Sequence, residues 1–518
     1  MAIVVSHIAD EFEALCRQAL RQAPLADLIE LRLDRIGNPG EERLRAFIES
    51  SPKPVIVTVH GLAELGQPGD FAGSREELLE ILHTAARAGA GFVDIDWRLS
   101  LLLGELEGKC HRIVSRHDFE GTPDDLAAFD EEVRAVLYEG DVIKLVCHAN
   151  SSEDGLRMMR HLRAAPGGLI AFSSGAAGSF TRVLCRIFGS AFTYAAPASI
   201  PGQPAPEATA PGQLRANDLL GLMPPGGISP ETAIFAVVGG SLEHSLSPRV
   251  HDMALKAARL DAVYLALPTD DFTSFIELCE DENFRGFSIT APHKQTALRV
   301  AHAADQDSRA TGACNTLVRD PGGWRAFNTD VPAIAETLER GLTYHHDRAG
   351  TARLTRDKPL EGEHVLVLGA GGAARAVARA VGSAGGRVTL AGRDATRAAQ
   401  AAEDLGCDSI AWEQIPETAH DVLVNATPIG TGVEAGEAGA LPVPAEWLRP
   451  ETLVLDAVYR PVRTALLVAA NERGCTAVPG AEWFVRQAAA QFMHFTQQEA
   501  DEDLMRAAFE NALVGTPD

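Results

Sequence analysis

A lysine, a histidine and a set of alternating charged residues lie in short apolar runs of the N-terminal half. Lys144 is flanked by apolar residues in DVIKLVC, and His117 follows the run HRIVSR. Apolar surroundings favour the neutral amine that attacks carbonyl carbon, and an imidazole moves protons near neutral pH. Glu30, Arg32 and Asp34 alternate in LIELRLD, so a strand points all three to one side. Taken singly, these features also fit a strand-end lysine, a turn-capping histidine and an edge-strand ion pair.

A second lysine and a carboxylate occur ahead of a glycine-rich loop. Lys294 follows the strand-like GFSIT, and Asp330 ends the segment FNTD. A lysine and a carboxylate brought together hold each other in the charge states that proton transfer to or from an alcohol needs, although an exposed ion pair is an alternative. Ser245 and Ser247 offer hydroxyls to a polar ligand, while Ser247 with Pro248 also fits an ordinary helix start.

The glycine-rich loop lies between a strand and a helix in EHVLVLGAGGAARAVARAV. This context predicts phosphate binding at the helix N-terminus, by Gly369, Ala370, Gly371, Gly372 and Ala373. Arg393 follows the next strand, where an NAD enzyme usually has an acid for the ribose diol, which favours the 2′-phosphate of NADP. Asp394 is adjacent, so NAD stays possible.

Composition narrows the class of partner. The chain has 71 acidic and 46 basic side chains and a net charge of −25, which repels nucleic acid and anionic membranes. The eight cysteines have no CxxC pair and no ligand-like spacing, so no metal site or disulfide framework is predicted. Because no basic leader and no apolar run of about 18 residues occurs, we expect a cytoplasmic protein that acts on small molecules.

The 518 residues predict several domains. Eight β-branched runs, most separated by stretches of helical period, predict an N-terminal (β/α)8 TIM barrel, with an open doubly wound sheet as the alternative. A second α/β series and the strand–glycine–helix unit predict a two-lobed dehydrogenase with a Rossmann-type lobe. The expected bounds are 1–222 for the barrel, 223–231 for a linker, 232–339 with C-terminal helices 479–518 for the substrate-binding lobe, and 340–478 for the nucleotide-binding lobe.

The ordered motifs of residues 3–222 resemble the type I 3-dehydroquinate dehydratases. The matching pieces are ELRLD, VDID, SRHDF, VIKLV, FSSGAAGSFTR, FGS and APGQ. The resemblance implies that Lys144 forms an imine with the substrate ketone and that His117 moves the proton next to the iminium before water is lost. It also implies a set of substrate-binding residues: Glu30, Arg32, Asp96, Arg182, Thr209 and Gln213.

Three positions depart from that family's pattern. Thr58-Val59-His60 replaces the family's TxR, so His60 is the candidate substitute for an arginine that contacts substrate. Asp96, which with Asp94 repeats the two-residue spacing, stands where the family usually has Glu. PGQ occurs twice, at 201–203 and 211–213; the later copy is the better match and is expected to contact substrate, the earlier to be loop.

The second half resembles shikimate dehydrogenase in eight ordered motifs over about 280 residues. They are HSLSP, ITAPHK, ACNT, NTD, GAGGAARA, NATPIGTG, DAVYRPVRT and FVRQAAAQF. The family implies that Lys294 and Asp330 are the catalytic pair. It implies substrate contacts from Ser245, Ser247, Thr290, Asn315, Tyr459 and Gln487, and cofactor contacts from Asn425, Thr427 and Gly480. The family's Asn-Arg-Thr cofactor motif reads Gly392-Arg393-Asp394 here.

Both resemblances together imply a bifunctional enzyme of the shikimate pathway. The barrel would convert 3-dehydroquinate to 3-dehydroshikimate, and the second half would reduce that ketone to shikimate with NADPH. One alternative is a quinate-sensing regulator without catalysis, but His117, Lys144, Lys294 and Asp330 are all present. The other alternative is a quinate dehydrogenase in the second half. By the family resemblance, the presence of both Ser245 and Ser247 favours shikimate as the substrate.

Overall fold

The computed structural model describes residues 2–66, 69–200, 202–350, 358–432 and 439–514. The chain forms two compact units. One comprises residues 1–233, 260–263 and 267–283; the other comprises 234–259, 264–266 and 284–518. No helix in the described ranges is long and apolar enough to cross a bilayer.

The N-terminal sheet has eight strands in the order β7-β6-β5-β4-β3-β2-β1-β8. Each of the eight apolar runs forms one strand: β1 Ala2–Ile8, β2 Leu28–Arg32, β3 Val55–Thr58, β4 Phe92–Asp96, β5 His111–Asp118, β6 Val142–His148, β7 Leu169–Ser174 and β8 Phe192–Ala195. Strand β1 pairs with β2 and with β8, and the amide of Ala191 donates to the Leu169 carbonyl at 3.1 Å across the remaining gap. The predicted TIM barrel is therefore confirmed, and the open-sheet alternative is wrong.

Helices connect the strands of the barrel and cover its outer surface. They are α1 Phe12–Gln22, α2 Glu41–Ser50, α3 Arg75–Ala88, α4 Ser100–Leu103, α5 Leu126–Arg134, α6 Ser152–Ala164, α7 Thr181–Ile187 and α8 Ala216–Gly221. The strands are rich in Val, Ile and Leu because both of their faces are buried. Inside the barrel, Glu30, Thr58, Asp94 and Lys144 are buried polar exceptions on β2, β3, β4 and β6. Such side chains belong at the mouth formed by the C-terminal strand ends.

A second, mixed sheet has the order β10-β9-β11-β13-β14-β12. Its strands are β9 Ala233–Gly239, β10 Ala262–Pro268, β11 Phe284–Ile289, β12 Ala303–Ala304, β13 Thr316–Asp320 and β14 Gly323–Phe327. Strand β11 is parallel to β9 and antiparallel to β13. The helices along this stretch are α9 Ser247–Ala257, α10 Phe272–Leu278, α11 Lys294–Val300 and α12 Gln306–Thr311.

A third, parallel sheet has the order β17-β16-β15-β18-β19-β20. Its strands are β15 His364–Leu368, β16 Arg387–Ala391, β17 Asp408–Ile410, β18 Val422–Asn425, β19 Leu453–Asp456 and β20 Thr476–Pro479. Counted within the sheet, this is the order 3-2-1-4-5-6 of a doubly wound nucleotide-binding fold, whose ligand site lies where the order reverses. That point falls between β15 and β18, so the predicted Rossmann-type lobe is confirmed.

The remaining helices are α13 Asp330–Ala349, α14 Gly372–Ser383, α15 Ala395–Leu405, α16 Ala465–Glu472, α17 Gly480–Thr496 and α18 Glu502–Val514. Successive residues of β15 face opposite sides of the sheet: Val365 and Val367 join one apolar core, and Leu366 and Leu368 join the other. Helices α17 and α18 pack against α9. Helix α13 is continuous through residues 339 and 340, where a lobe boundary was expected.

Candidate active sites

The mouth of the barrel holds a cavity of about 490 Å³. Side chains from several strands and from the loop after β8 converge on it. The cavity brings together nearly all of the residues that the sequence predicts for this half, namely Glu30, Arg32, His60, His117, Lys144, Arg182, Thr209 and Gln213. The mouth of a TIM barrel is the location at which this fold carries its active sites.

Lys144 is buried and paired with a carboxylate. Its Nζ donates to Asp94 Oδ2 at 2.5 Å, and it lies 4.6 Å from the centroid of the Tyr194 ring. The lysine and the aspartate are 4% and 2% exposed. The sequence predicts apolar neighbours for Lys144 along its own strand. The barrel adds Asp94 from β4, which holds the Lys144 side chain in one orientation.

His117, the penultimate residue of β5, lies beside two aromatic groups. Its ring stacks on Phe119 with centroids 5.5 Å apart and meets His60 edge-on at 5.0 Å. Burial, with a smaller contribution from the Lys144 ammonium, lowers the pKa of His117 to about 3. The imidazole is therefore neutral near pH 7 and able to accept a proton. Its Nδ1 has no hydrogen-bond partner among the described residues.

His60 lines the cavity at the position of the missing arginine. Burial, followed by the nearby positive charges of Arg32 and Lys144, holds the pKa of His60 well below its usual value. Its backbone amide donates to Asp34 Oδ1 at 2.8 Å. A neutral imidazole can form a hydrogen bond with a substrate but cannot replace the charge of a guanidinium.

Arg182 is the buried cation best suited to a substrate carboxylate. Its Nη1 donates to the Tyr194 carbonyl at 3.2 Å, and its guanidinium lies 4.5 Å from the Phe172 ring centroid. The buried Nε has no partner among the described residues, and burial lowers the pKa of the group to about 10. Arg32, by contrast, is already paired with Asp34.

Buried hydroxyls and the later PGQ segment complete the wall. Glu30 accepts hydrogen bonds from Ser6 and from Thr58 Oγ1, the latter at 2.9 Å. Thr209 Oγ1 donates to Ser6 Oγ at 2.9 Å, and its backbone amide donates to Gln213 Oε1 at 3.1 Å. These hydrogen bonds hold the loop after β8, which contains Thr209, next to the Glu30 carboxylate.

The two PGQ copies lie in different surroundings. A Cβ at Gly212, whose φ is +67°, would lie 2.1 Å from the Gly175 carbonyl oxygen, so the later copy needs glycine to approach the barrel wall. In the earlier copy, Pro201 lies outside the described residues, and Gln203 lines a separate, shallower cavity of about 260 Å³.

Asp96 does not line the barrel cavity in the described structure. Strand β4 ends at this residue, and its carboxylate caps the helical turn Trp97–Leu99 by accepting from the Arg98 amide at 2.9 Å. It also pairs with the Arg98 guanidinium at 2.8 Å. Asp94, two residues earlier, is the aspartate that reaches Lys144, and substrate binding by Asp96 stays a prediction. The repeat FVDID marked both Asp94 and Asp96 in the sequence. Which of them meets Lys144 depends on the register of the barrel strands.

A second cavity, of about 380 Å³, contains the other predicted lysine and carboxylate. Every residue expected to bind the substrate of this half lines it. They are Ser245, Ser247, Thr290, Asn315, Tyr459 and Gln487, with Lys294 and Asp330. The walls also contain Ser288 and Trp483, which lie outside the named motifs, and Gln491, which lies inside FVRQAAAQF but was not singled out there.

Lys294 and Asp330 are the first residues of α11 and α13. Lys294 Nζ donates to Asp330 Oδ2 at 2.7 Å, with side chains 25% and 9% exposed. The other carboxylate oxygen accepts from Trp483 Nε1 at 3.1 Å. Such a pair, part-buried and open to a cavity, can exchange a proton with a bound hydroxyl.

A hydrogen-bond network joins the segments that carry this pair. Asn315 Nδ2 donates to Thr329 Oγ1 at 2.9 Å, and the Thr329 amide donates back to Asn315 Oδ1 at 2.8 Å. Asn315 Nδ2 also lies 3.4 Å from Gln487 Oε1. The amide of Cys314 donates to the Lys294 carbonyl at 3.0 Å. These bonds connect Lys294, and Thr329 next to Asp330, to the same segment, Cys314 and Asn315.

The third sheet carries a larger cavity, of about 1000 Å³, at its switch point. It shares His244, Ala373, Ala457 and Tyr459 with the cavity of Lys294. At Gly369, where φ is +115°, a Cβ would lie 3.1 Å from the Ala426 carbonyl oxygen. The glycine-rich turn is thus pressed against the β18 loop, and the N-terminus of α14 begins at Gly372. These residues fit a dinucleotide phosphate.

The structure places three of the predicted cofactor residues in different surroundings. Asn425 is fully buried and does not line the described cavities; its Nδ2 donates to Asp456 Oδ1 at 2.8 Å and its Oδ1 accepts from Thr427 Oγ1 at 2.7 Å. It therefore positions Thr427, which does line the nucleotide cavity. Gly480 lines the Lys294 cavity instead. A Cβ at this position would lie 2.6 Å from the Asp456 carbonyl oxygen, so the close approach of the two segments requires glycine.

Arg393 is exposed just after β16, at the same edge of the sheet as the glycine-rich turn. Its neighbour Asp394 is engaged as the N-cap of α15, accepting from the Arg397 amide at 3.0 Å. One oxygen of the Asp394 carboxylate is thus engaged at the helix start.

The folds and cavities define a class of protein: a TIM barrel with a buried lysine joined to a two-lobed α/β protein of the dinucleotide-dependent dehydrogenase type. Two family models match, "Type I 3-dehydroquinase" over residues 3–223 and "Shikimate dehydrogenase substrate binding domain" over residues 237–317. The chain is 33% identical over 493 residues to the chloroplastic bifunctional 3-dehydroquinate dehydratase/shikimate dehydrogenase of Arabidopsis thaliana, covering 92% of this chain and 79% of the relative. The chain therefore belongs to the family of bifunctional 3-dehydroquinate dehydratase/shikimate dehydrogenases.

Further relatives match the second half. The shikimate dehydrogenase (NADP⁺) of Syntrophobacter fumaroxidans is 34% identical over 287 residues, which is 55% of this chain and 94% of the relative. Among solved structures, the shikimate 5-dehydrogenase of Thermus thermophilus in complex with NADP(H) and shikimate is 33% identical. It covers 54% of this chain and 100% of its own, with a TM-score of 0.46.

Proposed function

We propose that this chain catalyses two consecutive reactions of the shikimate pathway. The barrel dehydrates 3-dehydroquinate to 3-dehydroshikimate, and the second half reduces 3-dehydroshikimate to shikimate with NADPH. The observation that carries the proposal is the presence, in one chain, of the Lys144–Asp94 pair beside His117 and of the Lys294–Asp330 pair beside a nucleotide cavity. The eight cysteines, all described and all unpaired, support the cytoplasm as the compartment.

In the barrel, the Lys144 ammonium gives a proton to the paired Asp94 carboxylate, the neutral amine attacks the substrate ketone, and loss of water from the adduct gives an imine. The protonated imine withdraws electrons, so the neighbouring C–H becomes acidic. His117, neutral at the cavity wall, takes that proton, and the hydroxyl on the next carbon leaves as water with a proton returned by the imidazole. Hydrolysis of the imine then restores the lysine. Arg182 binds the substrate carboxylate, and Glu30 accepts from a substrate hydroxyl.

In the second half, the Lys294–Asp330 pair supplies the proton that the substrate carbonyl oxygen takes up during reduction. NADPH, when bound, supplies the hydride. Gly371, Gly372 and Thr427 would hold its phosphates at the start of α14 and the β18 loop. Ser245, Ser247 and Gln487 orient the acid and hydroxyl groups of the substrate across the cavity.

We further propose the domain bounds given by the sequence, with one qualification about their independence. Residues 1–222 contain the complete eight-stranded barrel, and residues 340–478 contain the parallel sheet except for Pro479, the last residue of β20. Residues 232–339 with 479–518 contain the mixed sheet and helices α17 and α18. The bound at 339 falls inside α13, so the two lobes of the dehydrogenase share a helix.

Replacing Arg393 by alanine should raise the KM for NADPH about 10- to 100-fold and change the KM for NADH little. A guanidinium–phosphate hydrogen bond is worth about 1.5–3 kcal/mol, and NADH has no 2′-phosphate. Both constants are measured with saturating 3-dehydroshikimate. An equal rise for the two cofactors would remove the argument that Arg393 recognises the phosphate.

The proposed function is tested by assaying each step separately on the purified full chain. With 3-dehydroquinate and no nicotinamide, chromatography should show 3-dehydroshikimate. With 3-dehydroshikimate and NADPH, the nicotinamide absorbance should fall as shikimate accumulates. Quinate with NADP⁺ serves as the comparison substrate and should turn over more slowly than shikimate. Failure of either step would contradict the assignment of that half.

A further inference from the structure

Trp483 lies in the wall of the Lys294 cavity and bonds directly to the carboxylate beside the lysine. Its Nε1–H donates to Asp330 Oδ1 at 3.1 Å, while Lys294 Nζ donates to Oδ2 at 2.7 Å. Asp330 and Trp483 are only 6% and 7% exposed. Each oxygen of the buried carboxylate therefore has its own donor, one cationic and one neutral.

We propose that Trp483 is a positioning residue for ketone reduction. Its N–H fixes the rotation of the Asp330 carboxylate that presents Oδ2 to Lys294, so that the lysine ammonium delivers the proton to the substrate oxygen. This inference rests on the proposed dehydrogenase function of the second half and adds to it a residue that acts through Asp330.

The chemistry of the indole gives the arrangement a direction. An indole N–H only donates, so the oxygen that it contacts must offer a lone pair throughout the reaction. As hydride reaches the carbonyl carbon, the carbonyl oxygen takes a proton from the Lys294 ammonium, which becomes an amine and is reprotonated from solvent. Asp330 remains a carboxylate with both hydrogen bonds intact, and no other proton donor is needed.

Packing keeps the indole in place. Trp483 belongs to an apolar cluster with Val331, Ile334 and Val478, so its ring has little freedom to turn away from Asp330. Gln487 and Gln491 follow at helical spacing on the same face of α17. Gln491 Nε2 donates to the Asn315 carbonyl at 2.9 Å. One face of α17 therefore contacts both the Asp330 carboxylate and the backbone of Asn315.

The first test is Trp483→Phe, which keeps an aromatic ring and removes the N–H. We expect kcat for 3-dehydroshikimate reduction to fall about tenfold, since a hydrogen bond to a charged group is lost, with KM for that substrate within about twofold. Trp447→Phe is the matched control, because Trp447 packs against the opposite core of the same sheet. The dehydratase rate of each sample reports the integrity of the chain.

A double-mutant cycle separates positioning from a general structural effect. If Trp483 acts through Asp330, Trp483→Phe should cost nothing further in an Asp330→Asn background. Equal losses in both backgrounds, or no loss in Trp483→Phe alone, would overturn the inference while leaving an active wild type. A wild-type chain that cannot reduce 3-dehydroshikimate would overturn the proposed function together with this inference.

Discussion

Replacing Lys144 by alanine should stop dehydration of 3-dehydroquinate, lowering kcat by about 10,000-fold or more, and leave 3-dehydroshikimate reduction unchanged. The lysine supplies the covalent bond that makes the neighbouring C–H acidic, and no other lysine lines the described barrel cavity. Asp94 would be left buried without its cation, so some loss of stability in the barrel is expected as well. The two rates are measured on one preparation, by product formation for the barrel and nicotinamide absorbance for the second half.

Exposed Lys109 provides the matched control, since Lys109→Ala removes a lysine from the same barrel outside the cavity. Borohydride added with 3-dehydroquinate should reduce the imine and leave a stable adduct on Lys144 in the wild type and in Lys109→Ala. Peptide mass analysis locates the adduct. An unmodified Lys144, or an active Lys144→Ala chain, would refute the imine mechanism.

Replacing Lys294 by alanine should lower kcat for 3-dehydroshikimate reduction by about 100- to 10,000-fold and leave dehydration intact. The variant removes the proton donor, and among the described residues it leaves the Trp483 N–H as the side-chain donor to Asp330. KM for NADPH should change little because Lys294 lines the substrate cavity and not the larger nucleotide cavity. Steady-state kinetics with each substrate in turn measures these effects.

Lys256→Ala is the control for this variant. Lys256 pairs with Asp252 at 2.5 Å on α9, so the same type of ion pair is removed outside the cavity. We expect both activities of Lys256→Ala to match the wild type. If Lys294→Ala lost dehydration too, the two sites would not be independent, and the assignment of separate reactions to the two halves would have to be abandoned.

Much of the fold could be predicted because buried parallel strands leave a strong local signal. The runs around Val55 and Leu169 are continuous β-branched or aliphatic segments, and all such runs of the barrel became strands. The strand–glycine–helix unit at Gly369 was equally clear. The shared helix α13 was not predicted as a bridge, because a helix whose apolar face crosses two lobes has the same period as one confined to a single lobe.

Residues marked by their own local motif, such as Lys144, His117, Lys294 and Asp330, could be predicted from the sequence, and all four line the cavities. Partners chosen by register or by long-range packing were not. Asp94 and Asp96 share one spacing, and only the barrel shows which one reaches Lys144.

Asn425 and Trp483 illustrate the same limit in the second half. Asn425 lies within a cofactor motif, and in the structure its Oδ1 accepts a hydrogen bond from Thr427 Oγ1. Trp483 is 153 residues from the Asp330 that it contacts, a separation that no local pattern could reveal. Both roles become visible only when the strands and helices are assembled.

The most direct test of two consecutive reactions in one chain is the nicotinamide absorbance after 3-dehydroquinate and NADPH are added to the purified protein, with no other enzyme. We predict oxidation of NADPH after a short lag, as 3-dehydroshikimate forms and is consumed. Oxidation should disappear in Lys144→Ala and return when 3-dehydroshikimate is supplied. No oxidation by the wild type from 3-dehydroquinate, with either NADPH or NADH, would contradict the account.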